Sequence, residues 1–305
     1  MFNQGEQIDN NLIIESCGEG SYATVYKVQD AINLNFFALK LCKGAETEDV
    51  DRFRDENQIL HSLKPHKNII NPLSFIVDTD PTRIYYTMEL ADCNLDRLLI
   101  STDTTDEEKI KIFSEICDGL KHAHSNKIIH RDLHWENILI VGGSEVKIND
   151  FGKAKEFVIN RKANSIKPCW GWFVSPPEFR FNIFDQSSEI KYFIPGDIYA
   201  LGIILYYLFE NPPLDYITGL NRNIEGFLLK NGIKLEDTNI TERNKLYKKW
   251  LEISTPSKNL IVSSIKNDNV NKNVNEIIKK ATVLDFNLRY QDIDQLMTDV
   301  GNIFV

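Results

Sequence analysis

Two carboxylates and an amide are spaced in a way that suits phosphate chemistry. Asp132 and Asn137 lie five residues apart, after a helical apolar pattern and a short apolar pair, and Asp150 follows eighteen residues beyond Asp132. An aspartate in such a loop accepts a proton or orients a hydroxyl group. Carboxylate and amide oxygens, completed by substrate phosphates, are the usual ligands of Mg²⁺. The spacing therefore predicts a site for a metal ion and a phosphorylated ligand.

Two glycines and a lysine earlier in the chain point to the same kind of ligand. Gly18 and Gly20 lie between two predicted strands, where backbone N–H groups without a neighbouring Cβ approach a phosphate closely. Lys40 follows in an apolar strand. A lysine that points inward requires an anion, and Glu56 on the next predicted helix could supply it. Each feature alone has an ordinary alternative: a tight turn for the glycines and an exposed strand edge for the lysine.

In the first ninety residues, strands and one helix must position the two glycines, Lys40 and Glu56. Apolar patterns predict strands at residues 12–14, 25–28, 36–41 and 84–90, and apolar residues at helical spacing predict a helix at 48–63. After Ala91 the pattern becomes helical. We therefore predict an α+β fold with a small β-rich lobe that ends near Ala91 and a larger helical lobe.

Helix signals dominate the rest of the chain. Thr105 and Glu108 have the spacing of a capping box, in which each side chain pairs with a backbone N–H at the start of a helix. Further helices are predicted at residues 197–209, 275–280 and 292–303. The first of these is apolar nearly all round, which is typical of a helix buried inside a lobe.

Composition narrows the class of protein. The chain has 305 residues, with 35 basic and 44 acidic side chains and a net charge of −9. This length suits one large domain or two lobes. The acidic balance argues against nucleic acid as a partner, because phosphate neutralisation needs a basic face.

Cysteine usage and the apolar segments indicate where the chain works. The five cysteines are scattered and include no C-x-x-C pair, which excludes a thiolate zinc site and favours a reducing compartment. The N-terminal residues lack the pattern of a signal peptide. The longest apolar run, 198–209, is shorter than the roughly twenty residues that a membrane helix needs. We expect a cytoplasmic chain without a membrane segment.

The order and spacing of these features resemble the protein kinase family, across about residues 10–303. The resemblance implies a two-lobed kinase domain over residues 10–305, with an N-lobe at about 10–90, a hinge at about 89–92 and a C-lobe at about 93–305. The matching motifs are Gly18/Gly20, Lys40, Asp132/Asn137, Asp150-Phe151-Gly152, Pro176-Pro177-Glu178 and Asp197/Gly202.

The resemblance implies ATP and Mg²⁺ as cofactors, a protein substrate and a role for each matching residue. Lys40 would hold the α- and β-phosphates and pair with Glu56, and Asn137 and Asp150 would carry the metal ions. Asp132 would position the acceptor hydroxyl. The residues that would surround the nucleotide are Gly18, Gly20, Val25, Ala38, Lys40, Met88, Glu89, Ala91 and Leu139.

The resemblance also implies two anchors in the larger lobe. Glu178 would pair with Arg289, and Asp197 would hold the catalytic loop from below.

Some positions depart from the family pattern. His134 stands where Ser/Thr kinases usually carry a lysine that faces the γ-phosphate. Because a histidine with an ordinary pKa of about 6.5 is mostly neutral at pH 7, we predict a pH-sensitive rate; the alternative is that other groups take over this charge. Ala23 replaces the third glycine, and its methyl group is tolerable if φ stays negative there.

The segment between Asp150 and Glu178 leaves the acceptor and the regulation open. Gly171 falls where Ser/Thr kinases usually carry a threonine, but the marks of tyrosine kinases are missing too, so a Ser/Thr acceptor is favoured. Ser165 lies among basic residues and is the candidate phosphosite; a solvated basic loop that needs no modification is the alternative. A partner chain could also regulate the protein.

Two other functions are compatible with these residues. A nucleotide-binding pseudokinase that acts as a scaffold would share the fold, although scaffolds usually lack one of the metal or phosphate residues that are all present here. A small-molecule phosphotransferase would share the H-x-D-x-x-x-x-N loop. The Glu178 and Arg289 pair and the Asp197/Gly202 motif favour a protein kinase over this second alternative.

Overall fold

A computed structural model of the chain divides it into two compact units. The described residues are 2–20, 22–44, 47–63, 65–78, 84–157, 174–184, 188–254 and 260–304. Unit one comprises Met1–Leu98 and Glu136–Ala154, and unit two comprises Leu99–Trp135 and Lys155–Val305. The chain therefore leaves unit one and later returns to it, and the returning segment carries Asn137 and Asp150.

The secondary structure alternates strand and helix early and is mostly helical later. The strands are β1 Gln7–Ile8, β2 Asn11–Glu19, β3 Ala23–Asp30, β4 Phe36–Cys42, β5 Val77–Asp78, β6 Ile84–Met88, β7 Cys93–Asn94, β8 Ile128–Ile129, β9 Ile138–Val141, β10 Glu145–Ile148 and β11 Lys155–Glu156. The helices are α1 Thr47–Leu63, α2 Leu95–Ser101, α3 Asp106–Ser125, α4 Pro177–Arg180, α5 Ile194–Phe209, α6 Leu214–Lys230, α7 Ile240–Ile253, α8 Asp268–Ala281 and α9 Ile293–Gly301. This confirms the α+β class.

Unit one is built on an antiparallel sheet with two different faces. In the described residues the strand order is β1-β2-β3-β4-β6-β5. One face carries a buried apolar cluster, which comprises Ile8, Ile13, Tyr26, Val28, Leu39, Leu41 and Tyr85. Residues of the opposite parity point to the other face. The register pairs Val25 with Lys40 and Ala38 with Met88, so these four residues lie side by side on that other face.

A tight hairpin joins β9 to β10 in unit one. Gly142 and Gly143 have φ angles of 58° and 78°, a left-handed pair that fits the type I′ turn typical of hairpins. The two strands pair antiparallel along their whole length. Asn137 and Asp150, which lie close to the two outer ends of the strands, are thereby brought to the same end of the hairpin.

Unit two is organised around the buried helix α5. Nearly every residue of this helix is buried. A Cβ at Gly202 would lie 2.7 Å from Thr282 Cγ2 and 2.8 Å from Ala281 Cβ, so only glycine permits this close approach of α5 to the end of α8. At the start of α3, Thr105 and Glu108 form the predicted capping box, with both reciprocal hydrogen bonds present.

One stretch in the described residues, Ile190–Phe209, is long and apolar enough to cross a membrane by length and composition. In the structure 83% of its most apolar window is buried inside the fold. The core helix of a globular domain has the same properties, so this stretch is weak grounds for a membrane span.

The element boundaries differ from the sequence patterns in informative ways. The helix predicted at 48–63 is confirmed as α1, and the strand predicted at 84–90 ends at Met88. Helix α8 begins at Asp268, seven residues before the predicted start, because Asn267 accepts hydrogen bonds from the N–H groups of Asn269 and Val270 and caps it.

Candidate active site

Lys40 and Glu56 form a buried ion pair in unit one. Lys40 lies on β4, on the sheet face opposite the apolar cluster, and Glu56 lies on α1. The Lys40 Nζ donates to the two Glu56 carboxylate oxygens at 2.6 and 2.7 Å, and the Tyr86 hydroxyl donates to Glu56 Oε1 at 3.1 Å. The side chains of Lys40 and Glu56 are 10% and 3% exposed. The pairing that the sequence predicts is thus confirmed.

A third charge faces this pair. The Lys40 Nζ lies 3.4 Å from Asp150 Oδ1. Burial alone would lower the pKa of Lys40, but the charges of Asp150 and Glu56 outweigh burial and hold this pKa well above its usual range. Burial raises the pKa of Glu56, and Lys40 opposes that rise. With both carboxylates ionised, the cluster carries one negative charge in excess, which suits a bound cation.

Asn137 and Asp150 offer the oxygen atoms that a magnesium ion prefers. The Asn149 backbone N–H donates to the Asn137 carbonyl at 2.9 Å. Asp150, the next residue, therefore lies close to Asn137 at the end of the hairpin. Asp150 has a left-handed backbone, with φ at 61°, and its side chain is 42% exposed. One carboxylate, one amide and an excess negative charge match the donor set for Mg²⁺. These residues therefore fit the predicted ion.

The other residues that the resemblance assigns to the nucleotide also belong to unit one. Val25, Ala38 and Met88 share a sheet face with Lys40, as the register requires. Leu139 lies on β9 and pairs with Lys147 of β10. The sheet register thus brings the first three together with the lysine, and the hairpin carries the fourth.

The fold itself does not require the glycines of the predicted phosphate loop. Neither Gly18 nor Gly20 has a left-handed φ. A Cβ at Gly18 would meet nothing within 4 Å, and one at Gly20 would lie 3.5 Å from the Ala23 carbonyl oxygen, an ordinary contact. Ala23 itself has no left-handed φ, so its methyl group is accommodated as predicted. Close approach of a ligand remains as a physical reason for glycine at these positions.

The predicted hinge, at about residues 89–92, presents one backbone acceptor and one backbone donor. The Glu89 N–H donates to the Asn71 carbonyl at 3.1 Å, and the Asn71 N–H donates to Glu89 Oε1 at 2.5 Å. Lys147 Nζ lies 3.1 Å from the same carboxylate oxygen. Within the part of the chain that the structure describes, the Glu89 carbonyl and the Ala91 N–H have no hydrogen-bond partner. This acceptor and donor suit the amino group and ring nitrogen of an adenine.

A buried aspartate fixes the loop that carries Asp132 in unit two. Asp197 is fully buried, and its carboxylate accepts the backbone N–H groups of His130 and Arg131 at 2.9 Å each. His124 Nε2 lies 2.9 Å from the same carboxylate. Arg131 has a left-handed φ of 64°, and the Asp132 N–H donates to His130 Nδ1 at 3.2 Å. The anchoring role predicted for Asp197 is confirmed.

His134 follows in the same loop. Its ring lies edge-on to Trp135 with centroids 6.4 Å apart, and Trp135 in turn lies 4.8 Å from the ring of Tyr207. Its predicted effect on the pH dependence of the rate stays a prediction.

The second predicted ion pair lies wholly inside unit two. Arg289 Nη1 and Nη2 donate to the two carboxylate oxygens of Glu178 at 2.6 and 3.0 Å, and both side chains are fully buried. The remaining N–H groups of the guanidinium donate to the carbonyls of Pro195, Val283 and Leu284. Pro177 and Glu178 open the short helix α4, which presents the carboxylate to this pair.

Some predictions lie outside the described residues. They concern the candidate phosphosite Ser165 and the acceptor-related position Gly171, both within residues 158–173.

A comparison with known protein families identifies the family to which the chain belongs. The family model of the protein kinase domain matches residues 12–291. The chain belongs to the protein kinase family. The match covers both units and includes every site residue described above.

Three curated relatives of this kinase domain come from three different organisms. The serine/threonine-protein kinase PLK4 of Aedes aegypti is 28% identical over 69% of this chain and 27% of the relative. The serine/threonine-protein kinase TIO of Arabidopsis thaliana is 30% identical over 75% of this chain and 17% of the relative. The probable serine/threonine-protein kinase PknB of Lactococcus lactis is 28% identical over 96% of this chain and 42% of the relative. The chain thus spans less than half the length of these relatives.

Sequence reasoning missed two residues that support the kinase site. Tyr86 donates to Glu56, and its position two residues before Met88 on a strand could have placed it on the same sheet face. Lys147 pairs with the hinge residue Glu89, but they are far apart in sequence and no spacing pattern connects them.

Proposed function

We propose that this chain transfers the γ-phosphoryl group of ATP to a serine or threonine hydroxyl of a protein. The observation that carries the proposal is the cluster of Lys40, Glu56 and Asp150, in which the buried Lys40 and Glu56 meet the partly exposed Asp150 and one cation faces two carboxylates within 3.4 Å. One ammonium group beside two carboxylates leaves one negative charge uncompensated, and a bound cation would compensate it. A Mg²⁺ complex of a nucleoside triphosphate supplies a cation for the carboxylates and phosphate oxygens for the Lys40 ammonium.

Unit one supplies the nucleotide contacts. Lys40, which stays protonated, attracts the α- and β-phosphates. The unpaired Glu89 carbonyl and Ala91 N–H bind the adenine edge, and Val25, Ala38, Met88 and Leu139 surround the ring. Gly18 and Gly20 approach the phosphates through their backbone N–H groups.

Asn137 and Asp150 are the residues that would hold Mg²⁺. When bound, the ion neutralises charge on the phosphates during transfer. Asp132 positions the acceptor hydroxyl and accepts its proton, and the hydrogen bonds from the His130 and Arg131 backbone to Asp197 keep its loop in shape. Catalysis of this kind depends on orientation and charge more than on covalent chemistry.

The choice of serine or threonine rests on the relatives, whose names describe serine/threonine-protein kinases. The substrate is therefore a protein, and a regulatory partner chain is part of the proposal. We also propose a cytoplasmic location, supported by the scattered cysteines, and no nucleic-acid partner, supported by the net charge of −9.

The test is phosphoryl transfer by the purified chain, with an Asp132→Asn variant beside it. Both are incubated with labelled ATP, Mg²⁺ and a mixed protein substrate, and modified residues are identified by mass spectrometry. We expect label on serine and threonine, and a rate about 10²–10⁴-fold lower in the variant, which is the usual contribution of a positioned acid or base.

Three other outcomes would overturn parts of the proposal. Label on tyrosine alone would change the acceptor class. Nucleotide binding without transfer to any protein would indicate a scaffold. Rapid transfer to a sugar or an amino alcohol, with no transfer to protein, would indicate a small-molecule phosphotransferase.

A further inference from the structure

One lysine contacts both arms of the segment that carries the two glycines. We call Gly18–Gly20 together with Tyr22 and Ala23 the glycine loop. The Lys43 ammonium is in contact with the Glu19 carboxylate and also donates to the Gly20 carbonyl at 3.0 Å. The Lys43 backbone N–H donates to the Tyr22 carbonyl at 2.8 Å. Lys43, which lies outside the loop, therefore joins the two arms of the loop: Glu19 and Gly20 form one arm, and Tyr22 belongs to the other.

The same loop is braced at two further points. The Gly20 N–H donates to the Ala23 carbonyl at 2.9 Å, which continues the pairing of β2 with β3 by one residue. The Arg52 guanidinium lies 4.5 Å from the centre of the Tyr22 ring, within the range of a cation–π contact. Arg52 lies on α1, one helical turn before Glu56. The loop is thus tied both to the end of β4 and to the helix that carries the buried carboxylate.

The charge of Glu19 makes the lysine necessary. A carboxylate in a loop that covers phosphates repels them, because like charges at short range interact unfavourably. The side chains of Glu19 and Lys43 are 51% and 26% exposed, so the ion pair itself adds little to fold stability. Its effect falls instead on any anion that the loop approaches.

We infer that Lys43 is a positioning residue for the nucleotide phosphates. It cancels the charge of Glu19 and holds the two arms of the glycine loop at a fixed separation, without itself touching the nucleotide. The inference rests on the proposed function, because it requires phosphates beneath the loop. Its consequence is specific: loss of Lys43 weakens phosphate binding and leaves recognition of the adenine and ribose unchanged.

The chain offers a matched control in the same sheet. Lys27 and Glu15 form an ion pair at 3.5 Å across β2 and β3, with side chains 32% and 62% exposed. This pair has the same chemistry and similar exposure as the pair of Lys43 and Glu19. Lys27 lies opposite Ala38 in the register of β3 and β4, on the face that carries Val25 and Lys40, and neither Lys27 nor Glu15 contacts a residue of the glycine loop among the described contacts. Lys27→Met therefore removes a comparable surface pair, together with the contact of the Lys27 ammonium with the Phe36 ring at 5.3 Å, and leaves the loop intact.

The experiment compares two ligands by isothermal titration calorimetry of the full chain. ADP with Mg²⁺ reports phosphate binding, and adenosine reports recognition of the base and sugar alone. We expect Lys43→Met to weaken ADP binding about tenfold, the order expected for one uncompensated charge beside phosphates. In Lys43→Met the adenosine affinity is expected to stay at the native value. Because Lys27 lies beside Ala38, the control Lys27→Met is judged by the ratio of the ADP and adenosine affinities, which is expected to stay at the native value.

Rescue variants separate charge from structure. Lys43→Arg keeps the cation and is expected to bind ADP nearly as well as the native chain. Glu19→Gln in the Lys43→Met background removes the uncompensated carboxylate and is expected to recover most of the lost affinity. Glu19→Gln alone is expected to bind ADP at least as tightly as the native chain, which tests the charge argument without altering the lysine.

Several results would overturn the inference. If Lys43→Met weakens adenosine and ADP equally, the lysine has only a structural role. If ADP binding is unchanged, or if Glu19→Gln gives no recovery, the charge argument is wrong. If the native chain binds neither adenosine nor ADP, the proposed function fails and this inference fails with it, a result distinct from a failure confined to the variants.

Discussion

The two buried ion pairs of this protein use the same chemistry in opposite surroundings. In unit two, Arg289 uses all five N–H donors: two on Glu178 and three on backbone carbonyls. Both side chains are completely buried, and the charges cancel. In unit one, Lys40 faces two carboxylates, Glu56 and Asp150, and the latter is 42% exposed.

The difference separates a pair that maintains the fold from the pair that we propose binds a ligand. The pair of Arg289 and Glu178 is neutral, and every N–H donor of the guanidinium is already used. It therefore cannot bind a further charged group and contributes only to contacts inside unit two. The cluster in unit one retains an excess negative charge and an exposed carboxylate. Buried charge alone therefore does not identify a functional site; our proposal rests instead on the excess negative charge and on the exposed Asp150 carboxylate.

The largest expected effect is on catalysis by the unit-one pair. We expect Lys40→Met to lower the rate of phosphoryl transfer about 10²–10³-fold, the loss typical of removing one group that stabilises developing charge. The measurement is kcat/KM for ATP with a protein substrate. Far-UV circular dichroism serves as the control for folding, and activity close to the native level would contradict the role of Lys40.

The next largest effect is on stability, where we expect the pair of Arg289 and Glu178 to matter more than the pair of Lys40 and Glu56. We expect Arg289→Met to lower the free energy of unfolding by about 3–5 kcal/mol, because it leaves Glu178 buried without a partner. Lys40→Met is expected to cost only about 1–3 kcal/mol, since Glu56 keeps its bond from Tyr86. Urea unfolding measures both. A larger loss of stability in Lys40→Met than in Arg289→Met would break the distinction between the pairs.

A smaller change tests the support of the unit-one pair. Tyr86→Phe removes the hydroxyl that donates to Glu56 and is expected to cost about 1.5 kcal/mol of unfolding free energy, the value of a hydrogen bond to a charged group. The ion pair itself remains, so nucleotide binding is expected to survive. Urea unfolding and calorimetry with ADP check these two statements, and a complete loss of ADP binding would show that Tyr86 does more than support Glu56.

The smallest expected effect is an absence of pH dependence. The pKa of Lys40 is raised in the folded protein because the charges of Asp150 and Glu56 outweigh the opposing effect of burial. Its contribution to stability is therefore complete below the ordinary lysine pKa and is lost only as pH rises through the higher folded value. We expect the stability difference between the native chain and Lys40→Met to stay constant from neutral pH to about pH 10. A difference that fades within this window, measured by urea unfolding, would contradict the raised pKa.

The sequence allowed most of the elements and several contacts to be predicted, where a local pattern encodes them. The capping box of Thr105 and Glu108 is readable because its two partners lie within one helical turn. The strands of unit one alternate with a period of two, and that alternation assigns Val25, Ala38 and Lys40 to one face. Contacts between distant segments, such as Glu178 with Arg289, came from the family resemblance.

What could not be predicted depends on three-dimensional proximity of polar groups. No spacing pattern relates Lys43 to Glu19 or Lys147 to Glu89, because a lysine at the end of a strand is ordinarily solvated. The early start of α8, by contrast, has a signal in the sequence that was missed: Asn267 is a good N-cap, and Val270, Val274, Ile277 and Ile278 follow it at helical spacing. The backbone acceptor and donor of the predicted hinge are invisible in the sequence, because every residue except proline has the same backbone donors and acceptors.

The discontinuity of unit one has a consequence for the order in which the chain is made. Its first part ends at Leu98 and its second begins at Glu136, so strand β7 emerges from the ribosome before its partner β9 exists. At about 5–20 residues per second, translation of the 56 residues between Leu98 and Ala154 takes about 3–11 s. During that interval the nascent sheet holds Lys40 without Asp150. The charge cluster on which the proposed activity depends is completed only when the polypeptide returns to a unit begun seconds earlier.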